Sequence, residues 1–228
     1  NKDKITEEAY ESIRQLLEGS GYRQDKKQPF TFYRDIKVDD NEAIVVQVDF
    51  LASEYGGTSE KHRTQQIQDI RARKLRGCDL AFEHMLQVRL TAKMPNGAEN
   101  TVDVNVSTML PFFAMKGMVL YDRLRPKDAY DIYFCLKNFP GGLDAIIKEF
   151  KPFLGDRVVM EGLSKIRLKF ESVNSMGPIA VADFEGIVGG EERELKTRDA
   201  FETVRTFLDV LGISPFVIKS KVEGERKL

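Results

Sequence analysis

The pattern of apolar and polar positions changes its period about halfway along the chain. A first helix is predicted from Thr6, a good N-cap followed by Glu7 and Glu8, with Ala9, Ile13, Leu16 and Leu17 at helical spacing. Gly19 and Gly21 end it. Residues then alternate. Phe30–Ile36 reads as a strand, and Asp39-Asp40-Asn41 carries turn chemistry. The run AIVVQVDFL, Ala43–Leu51, is the strongest strand signal, and its β-branched density predicts burial on both faces, with Asp49 a carboxylate at the end of a buried strand. Ser53–Arg63, with Gly56 and Gly57, reads as a polar loop, and Arg71, Arg73, Lys74 and Arg76 form a basic run that could contact RNA phosphates but reads first as a solvated face. Met85–Ala92 and Thr101–Ser107 alternate as two more strands, and Pro95-Asn96-Gly97 between them is a hairpin signal. Val102, Val104 and Val106 point one way; Asp103 and Asn105 point to solvent.

From Pro111 onward the period lengthens to that of helices. Met115, Met118 and Val119 lie on one stripe, with Lys116 off it. Pro126 cannot continue a helix interior but suits a first turn, so the chain reads as helix, break, second helix. Asp128 and Asp131 then share a face, while Ala129, Tyr130, Ile132, Tyr133 and Phe134 read as core. Leu143–Phe150 and Val158–Phe170 are amphipathic helices, Ser172–Pro178 a loop punctuated by Gly177-Pro178, and Arg193–Leu211 a last helix before a charged end at Lys219–Leu228. The fold class is α+β: a strand-rich part over residues 1–107, then a helical part over 108–228, with the boundary near Thr108.

Composition narrows the function classes. With 228 residues the chain can bury a real core in one large domain or two small ones. Its 35 basic and 36 acidic residues leave a net charge of −1, so no global field draws it to nucleic acid or membrane. No apolar run reaches the roughly 18 residues that read as a membrane span. Cys78 and Cys135 have no Cys or His partners at metal spacing, and a reduced cytoplasmic setting is the simplest reading. His62 and His84 have no acid partners at useful spacing and are assigned to nothing.

The residues that carry candidate chemistry are Lys116, Arg123, Lys127, Asp128 and Asp131. The bland reading of the two acids is complementation of a helix dipole. The stretch AMKGMVLYDRLRPKDAYDIYFCL, however, resembles the lysine and aspartate motifs of the AbiEii/AbiGii-type nucleotidyltransferases, many of which are toxins of toxin–antitoxin or phage-defence pairs. Residue types, order and spacing agree over more than twenty positions, with Gly117 and Met118 as ordinary variation. The resemblance implies a nucleotidyltransferase-like mixed sheet with flanking helices, followed by a helical C-terminal domain. It implies Mg²⁺-dependent transfer of a nucleotide from an NTP to a hydroxyl of RNA (tRNA ends) or protein, with a cognate antitoxin as a further partner. Lys116 would hold the triphosphate, helped by Arg123 and Lys127; Asp128 and Asp131 would position the lysine, the base or the acceptor. Asp49 would be the family's third acid, in metal binding or proton removal, with Asp103 as runner-up and a backbone-satisfied strand end as the plain alternative. The active site would then lie between the two halves.

The family's first signature, a Gly-Gly/Ser turn followed by a paired-acid strand, is not found. Truncation is the expectation: this chain alone inactive, the longer natural product active through Lys116. The alternative is a non-catalytic, degenerate nucleotidyltransferase fold that binds a partner or a nucleotide. A nuclease built on Asp49 would need an acid–x–lysine strand after it, and none follows.

Overall fold

The structure is a computed structural model that describes residues 7–39, 42–54, 64–67, 70–94, 97–123 and 125–215. The expected N-cap at Thr6, most of the Gly56-Gly57 loop, His62, the Asp40-Asn41 turn, Pro95-Asn96 and the end at 219–228 lie outside the described residues. The chain divides into two compact units, Asn1–Thr108 and Met109–Leu228. The fold is α+β; among the described residues the strands lie in the first unit and most helices in the second.

In the first unit, helix α1 (Glu7–Gly19) precedes β1 (Arg23–Gln24), β2 (Thr31–Asp39) and β3 (Glu42–Asp49), which form an antiparallel sheet in the order β1-β2-β3. A second sheet places β6 (Ile70–Leu75) between β4 (Leu51–Ser53), parallel to it, and β5 (Thr64–Ile67), antiparallel. A short helix, α2 (Leu80–Glu83), leads to a two-stranded ribbon of β7 (Met85–Lys93) and β8 (Glu99–Ser107). The turn signal at the ribbon's tip has its expected consequence at Gly97, whose φ is +82° and whose N–H donates to the Met94 carbonyl at 2.8 Å.

The strand over residues 43–51 departs from its expectation twice. It stops at Asp49, and Leu51 opens a different sheet. It is also not buried on both faces: Ile44 and Val45 are each 56% exposed. The cause is topological. Among the described residues β3 pairs with β2 alone and forms a sheet edge, so its β-branched side chains record strand propensity rather than enclosure. Asp49 is therefore exposed.

In the second unit, α3 (Met109–Asp122) and α4 (Pro126–Asn138) are followed by α5 (Gly142–Phe150), a single 3-10 turn, α6 (Arg157–Lys169), α7 (Met176–Phe184) and α8 (Gly190–Val210). The core centres on three rings with no exposure, Phe113, Phe150 and Phe207, from α3, α5 and α8. Phe150 meets the other two edge to face, with Phe113–Phe150 centroids 5.6 Å apart and Phe150–Phe207 5.2 Å. Asp156 caps α6 by accepting from the Val158 and Val159 N–H groups at 2.8 and 2.9 Å.

Glycine sets one helix contact. A Cβ on Gly162 of α6 would stand 2.5 Å from the Ala114 carbonyl oxygen, and one on Gly117 of α3 would overlap the Gly162 carbonyl. The backbones of α3 and α6 therefore cross with room for hydrogen alone. Gly117 is thus a packing position, and the buried stripe of α3 runs through Leu110, Phe113, Ala114, Gly117 and Met118. Two further expectations change. Gly177-Pro178 sits inside the first turn of α7, where proline's missing N–H is harmless and Gly177 lies against Phe170, 2.5 Å from where a Cβ would be. Phe134 is 48% exposed and not core; Ala129, Ile132 and Tyr133 are buried.

Candidate functional site

The break between α3 and α4 brings the charged residues of this region together. The α3 helix ends at Asp122, Arg125 is extended, and Pro126 opens α4 at its first position. The reversal lays Asp128 and Asp131, one turn apart, beside Lys116 on α3. The Lys116 ammonium donates to Asp128 Oδ1 at 2.7 Å and to Asp131 Oδ2 at 2.7 Å. Arg123 Nε reaches Asp128 Oδ2 at 3.3 Å, and Lys127 Nζ reaches both oxygens of Asp131 at 2.7 and 2.9 Å. The Lys116 Nζ also stands 5.6 Å from the centre of the Phe112 ring. All five lysine, arginine and aspartate positions singled out in this stretch thus form one cluster of three cations and two anions.

Burial grades the members. The Asp128 side chain is 5% exposed, Asp131 18% and Lys116 19%, whereas Lys127 is 64% exposed. Burial alone pulls the Lys116 pKa down, but hydrogen bonds and charge from Asp128 and Asp131 outweigh it, so the net shift is upward. Burial likewise pushes the Asp131 carboxyl up, and Lys116 and Lys127 outweigh that, holding it below its ordinary value. Lys116 is a protonated ammonium with carboxylates on two sides. It can act as a fixed point charge and a donor, and it can tie α3 to α4; it is no proton-accepting base.

Asp49 belongs to the first unit. Its Oδ1 accepts from the Thr31 hydroxyl at 2.6 Å and its Oδ2 from the Gln47 amide at 2.9 Å. Both oxygens are thus engaged by side chains of the sheet, which is the plain strand-end reading with side-chain in place of backbone donors. Asp103, the runner-up, is held by Arg89 through two bonds of 2.8 and 3.0 Å on the exposed ribbon. Arg89 holds the Asp103 carboxyl below its ordinary value.

Among the described residues the acids do not converge into a cluster that would hold a metal ion by protein groups alone. Mg²⁺ takes hard oxygen ligands, usually from one or two carboxylates plus phosphates and water. Among the described residues no three acid, histidine or cysteine side chains lie together, and both Asp49 oxygens already have donors. Asp128 and Asp131 are neutralised by cations. No step is therefore assigned to a metal held by this chain.

A second polar group in the helical unit was not anticipated. The Tyr133 hydroxyl donates to Asp199 of α8, which also accepts from Lys137 at 2.8 Å. Burial, then the hydrogen bond and charge of Asp199, push the Tyr133 pKa well up. Lys196 lies 5.4 Å from the Tyr133 ring centre and pairs with Glu185 at 2.9 Å. The partners are more than sixty residues apart in sequence, so local spacing carried no signal for them. In the first unit, a cleft of about 430 Å³ is lined by Leu51, Ser53, Gln65, Asp79, Phe82 and Glu83, among others, and holds none of the expected site residues.

Among the described residues no helix is long and apolar enough to cross a membrane. Comparison with known proteins adds no relative: no protein-family profile, curated protein or solved structure matches this chain.

Proposed function

We propose that this protein acts as a nucleotidyltransferase that moves a nucleotide from an NTP, carried as its Mg²⁺ salt, to a hydroxyl of RNA or protein. The observation that carries the reading is the meeting of Lys116, Arg123, Lys127, Asp128 and Asp131 in one cluster. Phosphoryl chemistry rests on positioning and charge stabilisation, and a lysine held at a fixed point suits a triphosphate. In this reading Lys116 contacts the NTP phosphates, the more exposed Lys127 and Arg123 add to the local positive field, and Asp128 and Asp131 set the direction of the Lys116 ammonium. Asp49 enters through the sequence resemblance alone, as a carboxylate whose part is decided by substitution. Toxin activity and an antitoxin partner follow from the same resemblance and are part of the proposal.

A second reading has an observation of its own. Lys116 is already bonded to two carboxylates at 2.7 Å, as a structural tie between helices would be. In that reading the protein is a non-catalytic relative that binds a partner or a nucleotide.

The test is transfer of labelled nucleotide from each of the four NTPs, with Mg²⁺, to total tRNA and to protein. It compares the natural gene product with its Lys116→Ala and Asp49→Asn variants, each checked for folding by circular dichroism. Label transferred by the parent and lost in a folded Lys116→Ala supports the enzyme. Full transfer by Asp49→Asn removes Asp49 from it. No transfer by the parent, with NTP binding also absent, sinks the enzyme reading.

A further inference from the structure

The two aspartates of the charged cluster are held in different ways. Lysine ammoniums converge on Asp131 from two helices. Lys116 of α3 donates to its Oδ2 at 2.7 Å, and Lys127 of α4 donates to its Oδ1 at 2.7 Å and its Oδ2 at 2.9 Å. Two lysines shared over the oxygens of one anionic group is also how a phosphate is held, since each ammonium is a point charge with rotatable donors. Asp128 lies deeper, between Lys116 and Arg123, with its side chain 5% exposed. The Asp131 side chain is 18% exposed, and the Lys127 that holds it is 64% exposed. Asp128 is therefore the inner anion of the cluster and Asp131 the outer one.

While both carboxylates stay in place, the cluster offers a phosphate little. Three cations against two anions leave one net positive charge. Lys116 spends two of its three N–H donors on the carboxylates. A phosphate that replaces Asp131 inherits donors from both Lys116 and Lys127, and it is relieved of the nearer repelling charge. The exchange is one-sided. Asp131 can turn into water, where a carboxylate is well solvated, whereas an unpaired Asp128 would be a stranded buried charge. We infer that Asp131 is a resident stand-in for a substrate phosphate: it holds Lys116 and Lys127 in the free protein and gives up its place when a polyphosphate binds, leaving Asp128 to aim Lys116. The inference rests on the transferase reading, in which Lys116 meets phosphate, and adds a control on what enters. A tethered carboxylate is present at high effective concentration, so it excludes singly charged anions and yields to a polyphosphate that engages both lysines at once.

The test is binding of inorganic pyrophosphate, without divalent cation, to the full chain by isothermal titration calorimetry, each variant being checked for folding by circular dichroism. Asp131→Asn should bind it about fivefold tighter than the parent, because the charge that competes for two lysines is gone. Asp128→Asn removes an equal charge but not the competitor, so its gain should be smaller. Lys116→Ala added to Asp131→Asn should abolish the gain. Pyrophosphate bound by the parent but no tighter by Asp131→Asn, or tightened equally by the two aspartate substitutions, overturns the inference and leaves the transferase reading standing. No binding by the parent or by any variant overturns both. The unsubstituted chain decides the same point through the ¹³C shifts of its aspartate carboxyls during the titration. The Asp131 carboxyl should shift as pyrophosphate binds, and further than that of Asp128. An Asp131 signal that stays still in a chain that binds pyrophosphate overturns the inference.

Discussion

Replacing Lys116 by methionine tests the charged cluster as a structural object, separately from any activity. Methionine keeps the unbranched stem and removes the ammonium. Two charge-assisted hydrogen bonds of 2.7 Å are lost. The Asp128 side chain, 5% exposed, is left with Arg123 Nε at 3.3 Å, while Asp131 keeps Lys127. Removing one partner of a buried pair typically costs about 3–5 kcal/mol, because the other charge stays behind in a poor solvent. The remaining cations reduce that here, so the expected loss is about 2–3 kcal/mol. The assay is urea unfolding followed by circular dichroism at 222 nm, where the helical unit dominates, with the slope checked to show that the transition itself is unchanged. Adding Asp128→Asn to Lys116→Met removes the stranded charge as well. The double variant should therefore lose less than the sum of the single losses, with a coupling of about 1–2 kcal/mol. A single-variant loss under about 0.5 kcal/mol, or strict additivity, would refute the account of Lys116 as a tie between α3 and α4.

Gly162→Ala should destabilise the helical unit by about 2 kcal/mol although alanine favours helix, since the overpacking cost at the α3–α6 crossing exceeds the roughly 1 kcal/mol of propensity gained. Gly155→Ala, where nothing lies within 4 Å of the new Cβ, is the control, and equal melting temperatures for the two variants would contradict the crossing. A third prediction concerns pH. The Asp131 carboxyl is held below its ordinary value, so its stabilisation is present above about pH 3.9 and is lost as pH falls through the folded-state value. The stability gap between the parent and Asp131→Asn, measured by urea unfolding, should be largest near neutrality and close as the pH falls through the lowered folded-state value; a gap that widens on acidification would reverse the sign of the argument.

What the sequence disclosed depended on distance along the chain. Lys116, Pro126, Asp128 and Asp131 lie within sixteen positions, and the helix, break and helix that join them are written in local chemistry. The β7–β8 hairpin was legible for the same reason. The enclosure of β3 was not, because β-branched side chains report a preference for extended backbone and say nothing of what lies beyond the strand. Gly117 looked idle since its partner, Gly162, is three helices away. Asp199 gave no sign of serving Tyr133. Phe134 follows the apolar spacing of α4 yet faces outward, where only the placement of the neighbouring helices could tell. Gly177-Pro178 looked like a loop because the same pair opens helices and interrupts them.

The crossing of α3 and α6 also bears on the order of folding. Its two glycines are separated by a segment of about 45 residues that contains α4 and α5. Closing a loop of that size costs about 3 kcal/mol of chain entropy before the helices touch, so the crossing cannot form as a local hairpin. Asp128 and Asp131 ride on that loop. Their approach to Lys116, a contact of much shorter range, can form first and shorten the search. Refolding kinetics would then divide the two contacts: substitutions at Asp128 slow folding, whereas substitutions at Gly162 chiefly speed unfolding.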